Sequence, residues 1–194
     1  MADLPNGARY GELLFGAGTI ERVGAIEVTV SLVSVGGMLN PIGTAPTVID
    51  AYFDRLKLSA VDREGLREKL VAARNAHDAD AAMVAVYRYL IPLMSAGEIA
   101  ADFSVFNPTS GVDPHYASER VLTALPDLTL PDVQRITEER SHKVEPLTIH
   151  SAYFVSAIPR FVVVGEIRHG DGTRYVERVP IEISSAGSVI YLGR

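Results

Sequence analysis

The chain has 194 residues, 47% of them apolar and 22% charged, with no cysteine and a formal net charge of −6. This length and composition exclude a disordered chain and one that needs covalent staples to fold. The missing cysteines exclude disulfides, thiolate metal sites and cysteine nucleophiles, and the negative charge without a Lys/Arg block excludes nucleic-acid binding through a basic face.

Residues 1–24 are rich in glycine (Gly7, Gly11, Gly16, Gly18 and Gly24) and are expected to form an extended arm, with one short strand or helix near Glu12 to Phe15. The opening "MADLPNGARYGELLF" has no basic segment followed by an apolar core, so no cleaved secretory signal is expected. "GAGTIERVGA" lacks a dinucleotide-loop pattern because Glu21 stands where the third glycine belongs. From Ile26, apolar Ile26, Val28, Val30 and Leu32 alternate with Glu27, Thr29 and Ser31, the period of a half-buried strand. "GGMLNPIGTAP" then carries loop chemistry. No charge interrupts the run from Val28 to Ile49, which is about long enough to cross a bilayer as a helix. Pro41 and Pro46 would leave backbone groups without partners in hydrocarbon, so a strand and loop is the expectation and a membrane span the alternative.

Residues 50–194 are expected to form the main domain, a helical layer followed by an antiparallel sheet, with residues 1–49 as an N-terminal arm holding one strand and a loop. Ser59 with Asp62 resembles a capping box before "AVDREGLREKLVAARNA", whose Leu66, Leu70 and Ala73 form one stripe. Asp78 or Asp80 caps the next helix, where Val84, Tyr87, Leu90, Ile91 and Met94 mark the inward face. Pro92 shortens its last turn and Gly97 serves as the stop. Asp113 and Pro114 start a short helix, and Thr129 or Leu130 before Pro131 starts another, with Val133, Ile136 and Val144 facing inward.

The last fifty residues change period. "LTIHSAYFVSAI" and "RFVVVGEIRHG" read as strands, and "GDG" at 170–172 as a hairpin turn. In "TRYVERVPIEIS", Tyr175, Val179, Ile181 and Ile183 face one way and Arg174, Arg178 and Glu182 the other. Pro180 belongs at an edge or bulge, and "AG" at 186–187 turns the chain into "SVIYL". Helices followed by a curved antiparallel sheet give an α+β class, with the helices expected to cover one sheet face. No internal repeat of 20–50 residues is evident.

Few residues offer chemistry. His77, Asp78 and Asp80 cluster as potential cation ligands, but aspartates between two helices are expected as caps. Glu139 and His142 share a helix face, yet a di-iron carboxylate site needs two such pairs. His150 and Ser151, on a strand, would point to opposite faces and cannot act as a nucleophile–base pair. His150 could join Tyr153 or Glu166 in a pocket only if they shared its face. In residues 145–194, five acids match five arginines, so no single-sign groove is expected. The expectation is therefore no catalytic, cofactor-binding or metal-binding residue and no cofactor.

"NPTSGVD", "VQRITEERSHKV", "IHSAYFVSAI" and the closing "FVVVGEIRHGDGTRYVERVPIEISSAGSVIYLGR" together resemble TraE-like components of conjugative type IV secretion machines, over residues 80–194. The resemblance implies a helix layer on a curved antiparallel sheet, and a self-associating, non-catalytic scaffold at the inner membrane. It assigns no functional residue. That family carries an apolar membrane helix near its N-terminus, where this chain has the proline-broken run from Val28 to Ile49.

The leading expectation is a non-enzymatic structural or assembly component of a secretion or conjugation machine, partnered by further copies of itself and by other protein subunits. The alternatives are a viral head or tail assembly subunit, and a soluble small-molecule-binding protein or enzyme with a cone-shaped pocket. The resemblance places the chain at the inner membrane or periplasm; the alternatives place it in the cytoplasm or a particle.

Overall fold

The computed structural model describes residues 19–142, 146–155, 159–183 and 188–192. The expected arm with its element at Glu12 to Phe15, Val144, and the turn at 186–187 lie outside the described residues. The fold is α+β. In chain order it comprises β1 (Thr19–Val23), β2 (Ile26–Ser34), α1 (Pro46–Arg55), α2 (Ala60–Ala76), α3 (Ala79–Leu90), α4 (Ala96–Asp102), α5 (Glu119–Thr123), α6 (Leu130–Ser141), β3 (Arg160–His169), β4 (Arg174–Ile183) and β5 (Val189–Tyr191). The chain divides into two compact units: Met1–Ser34 with Pro159–Arg194, and Val35–Ile158. The division differs from a cut after residue 49, because β2 pairs with a strand from the far end of the chain.

The first unit is one five-stranded sheet in the order β1-β2-β3-β4-β5, antiparallel throughout. The alternation from Ile26 produces β2 as expected. Gly24 joins β1 to β2 at φ +63° and Gly172 turns β3 into β4 at φ +88°, conformations glycine adopts without steric cost. Pro180 is not on an edge strand. Its carbonyl accepts from Leu192 N–H at 3.0 Å, one residue past the end of β5. The missing proline N–H thus falls where the β4–β5 ladder stops.

The second unit is helical and is inserted between β2 and β3. Its core includes Leu39, Tyr52, Phe53, Leu66, Leu90 and Ile136. Ser59 caps α2 by accepting from Asp62 N–H, Asp78 caps α3 and Thr129 caps α6, all expected from sequence. Leu66, Leu70 and Ala73 form the buried stripe of α2.

Several expectations fail for local reasons. The inward face of α3 is Ala82, Ala85, Val86 and Leu90, whereas Val84 is 67% exposed and Ile91 50%. Small alanines let a helix approach its neighbours closely, so an apolar count alone misplaces the stripe. Gly97 does not stop a helix; it lies in the first turn of α4, which Ser95 and Glu98 start with a capping box. Asp113 does not start a helix either. Its side chain accepts from His115 N–H at 2.9 Å, an Asx turn, and α5 begins only after Ser118. The described part of "LTIHSAYFVSAI" is irregular, with a single bridge between Val112 and Phe154.

Two segments anchored 67 residues apart, at Asn40 and Asn107, share a local geometry, a spacing outside the 20–50-residue range. Asn40 and Asn107 each precede a proline and each close an Asx turn, accepting from Ile42 N–H and Thr109 N–H at 3.0 Å. Each side-chain amide crosses to the other turn: Asn40 Nδ2 donates to Asn107 O and Asn107 Nδ2 to Met38 O, both at 2.6 Å. A helix and then a hydroxyl-capped helix follow each turn. The second helix of each set returns an arginine to backbone carbonyls at the start of its set, Arg74 to Thr44 O at 3.0 Å and Arg140 to Ala117 O at 2.7 Å. Asn107→Ala takes the side-chain donor from Met38 O, leaves Gly111 O with Thr109 Oγ1 alone, and removes the acceptor of Thr109 N–H; it is expected to cost about 2–3 kcal/mol in urea unfolding. Because the two amides cross, Asn40→Ala in the same chain should add less than its separate cost, by about 0.5–1 kcal/mol; strict additivity would refute the reciprocal lock.

Among the described residues, no helix is long and apolar enough to cross a membrane.

Candidate functional site

The residues singled out for chemistry do not converge. His77 sits at φ +53° as the left-handed cap of α2, Asp78 caps α3, and Asp80 is exposed in the first turn of α3. Glu139 accepts from Thr148 N–H at 2.9 Å and from Arg135 at 3.1 Å. The Thr148 hydrogen bonds, more than Arg135, hold its carboxyl below the ordinary range. His142 turns instead to its own helix, with Nδ1 2.9 Å from Glu138 O. His150 is exposed and not on a strand, while Ser151 donates to Asp127 at 2.8 Å. Tyr153 belongs to the helical unit and Glu166 to the sheet. Among the described residues, no three His, Asp or Glu side chains are grouped to hold a metal ion.

One buried polar cluster was not legible in the sequence. Asp102, at the end of α4, is fully buried. Its carboxylate accepts from Tyr52 Oη at 2.6 Å, Ser118 Oγ at 2.7 Å and Arg120 Nε at 2.7 Å. Arg120 continues to Glu98 at 3.0 Å. Burial, and then the bond to Asp102, pushes the Tyr52 hydroxyl well above the usual tyrosine range. Both carboxylate oxygens of Asp102 are engaged by the chain's own donors, so the cluster ties α1, α4 and α5 together. The only hint in sequence is an aspartate ending the apolar run "EIAAD".

The sheet carries surfaces fit for recognition: one face is rich in ion pairs, with Val176 exposed among them, and the other is richer in apolar side chains. Register puts Arg22, Glu27, Arg168 and Arg174 in one transverse row. Glu27 takes Arg22 at 2.9 Å, and Glu166 takes Arg174 at 2.6 Å as well as Arg168. Arg174, then Arg168, draws the Glu166 carboxyl below its ordinary range. This face is a lattice of exposed ion pairs, of the kind that sets register and solubility more than stability. On the opposite face Val28, Val30, Ile167 and Tyr175 stand together, with Val30 40% exposed, Ile167 39% and Tyr175 61%, and Glu177 beside them in the row of Val30. His169 packs edge-on to Tyr175 with ring centroids 6.0 Å apart. Cross-strand apolar neighbours left this exposed are typical of contact surfaces.

No protein-family model matches the chain, and no curated protein matches it. Among solved structures, the chain is similar in fold to one in the GspK-GspI-GspJ complex of the type 2 secretion system of enterotoxigenic Escherichia coli. The TM-score is 0.53 at 11% sequence identity, covering 92% of this chain and 82% of that one.

Proposed function

We propose that this chain is a non-enzymatic structural subunit of a secretion machine and works by holding other protein subunits. The observation that carries the reading is the fold likeness, over 92% of the chain, to a component of a multi-protein secretion complex. Fold alone does not assign function, but the sites agree with it. The buried polar cluster is satisfied internally, and the surface features are an exposed apolar sheet face and an ion-pair lattice. Within secretion machines, the likeness favours a type II assembly over the conjugative type IV assembly that the TraE-like resemblance implies. The inner membrane or periplasm is the place of action under this reading.

Deleting the coding sequence in the native host and measuring two outputs tests the proposal. Export of secreted enzymes should fall at least tenfold while conjugative DNA transfer stays unchanged. Lost transfer with intact export would move the chain to a type IV machine; no change in either would remove it from secretion altogether.

A further inference from the structure

The outer face of α3 exposes large apolar side chains. Val84 is 67% exposed and Ile91 is 50% exposed, one helical repeat apart on the same side, with Leu93 just beyond at 49%. Alanines fill the inward side, so the larger apolar side chains Val84 and Ile91 are turned outward, on a stripe they share with charged residues. Two charges flank Val84 on this outer stripe. Asp80 stands four residues before it and Arg88 four residues after, both exposed and without an ion pair or side-chain hydrogen bond among the described residues. Elsewhere in the helical unit, arginines commonly have partners: Arg63, Arg67, Arg74, Arg120, Arg135 and Arg140 all do. The helix dipole accounts for the sign of the charge at each end of α3. It does not account for the bare valine and isoleucine along the same stripe.

We infer that α3 pairs antiparallel with α3 of a second copy, about a two-fold axis at Val84. The spacing is self-complementary. Residues four apart lie above one another on a helix face, so an axis at Val84 sets Asp80 opposite Arg88 of the second copy, and Arg88 opposite its Asp80. Val84 meets Val84 at the axis, and Ala81 beside it is small enough to let the helices approach. A parallel pairing would oppose aspartate to aspartate and arginine to arginine, so the charges select one orientation. The Val84–Val84 contact supplies the apolar centre and the two ion pairs fix orientation and register, while Ile91 lies beyond the paired segment, opposite position 77 of the second copy. An isologous contact of this kind closes at two copies. The inference rests on α3 alone and stands whether or not the secretion reading does.

Sedimentation velocity of the full chain across a concentration series tests it. The wild type should show a reversible monomer–dimer equilibrium. Asp80→Arg and Arg88→Asp should each weaken dimerisation at least tenfold, because symmetry turns one reversal into two like-charge contacts. Mixing these two single variants should restore a dimer containing one copy of each, and the double variant should self-associate as the wild type does. Both positions are exposed, so unchanged far-UV circular dichroism and thermal midpoint serve as the folding control. A wild type that stays monomeric at every concentration, a dimer indifferent to both reversals, or a mixture that fails to rescue would each overturn the inference.

Discussion

Replacing Asp102 with alanine should destabilise the helical unit by about 3–5 kcal/mol, read as a shift of the urea midpoint at unchanged slope. Asp102 is the shared acceptor of three donors from two other segments. Without it, the hydroxyl of Tyr52 keeps only the distant thioether of Met94, at 3.9 Å. Burying an unsatisfied hydroxyl costs about 1–3 kcal/mol by itself. Arg120 suffers less, since its side chain is 39% exposed and still reaches Glu98. The comparison with Tyr52→Phe isolates the hydroxyl and should cost about 1–1.5 kcal/mol. The same pair predicts a pH signature. Tyr52 is held protonated in the folded state, so its contribution is complete below the ordinary tyrosine range near pH ~10 and declines as pH rises beyond it. Tyr52→Phe should flatten that alkaline decline. An Asp102→Ala chain that unfolds within about 1 kcal/mol of wild type would show that packing, not the carboxylate, joins α1, α4 and α5.

Gly37→Ala should cost about 3 kcal/mol or more, at the upper end of overpacking penalties. A β-carbon at Gly37 would lie far inside contact distance of the Tyr116 carbonyl and the Ala117 nitrogen. These are backbone atoms, so no rotamer change relieves the clash. The neighbouring hydrogen bond from Asp113 N–H to Gly36 O, 2.8 Å long, should break with it. Native-state hydrogen exchange at the Asp113 amide checks this directly: protection should collapse in Gly37→Ala and persist in Gly97→Ala, where the added carbon meets nothing closer than 3.9 Å.

Local chemistry was readable wherever one residue sufficed to produce it. Ser59, Asp78 and Thr129 cap helices because a side-chain oxygen need only reach a backbone N–H two or three residues on. The turn at Gly172 and the alternation of β2 are equally local. Helix α1 was not readable: Ala45 offers no side-chain cap, and Pro46, Thr47, Val48 and Ile49 look like loop or strand. It is helical because Val48, Ile49, Tyr52 and Phe53 bury together, with Tyr52 and Phe53 both packed on Phe103. Tertiary burial overrides propensity there. The correspondence between the two Asn-Pro turns is not visible in sequence because its signature is two Asn-Pro pairs and two arginines scattered among dissimilar residues. The charged lattice of the sheet could be counted from sequence, but its separation from the apolar face needed the register across β1 to β4.

The insertion between β2 and β3 bears on how the polypeptide reaches its native state. Strands β2 and β3 are partners, yet the whole helical segment is synthesised between them. Bringing such distant ends together is entropically costly for an open coil. The insert solves this within itself. Near its start Gly36 O accepts from Asp113 N–H at 2.8 Å, and near its end Val155 N–H donates to Val112 O at 3.0 Å, so adjacent residues grip both ends. Once the helices have assembled, the two ends of the insert are held close together, which shortens the loop that pairing of β2 with β3 must close. Ribosomal emergence would then run in a fixed sequence: the amino-terminal hairpin waits, the insert matures, and the carboxyl-terminal strands zip on last.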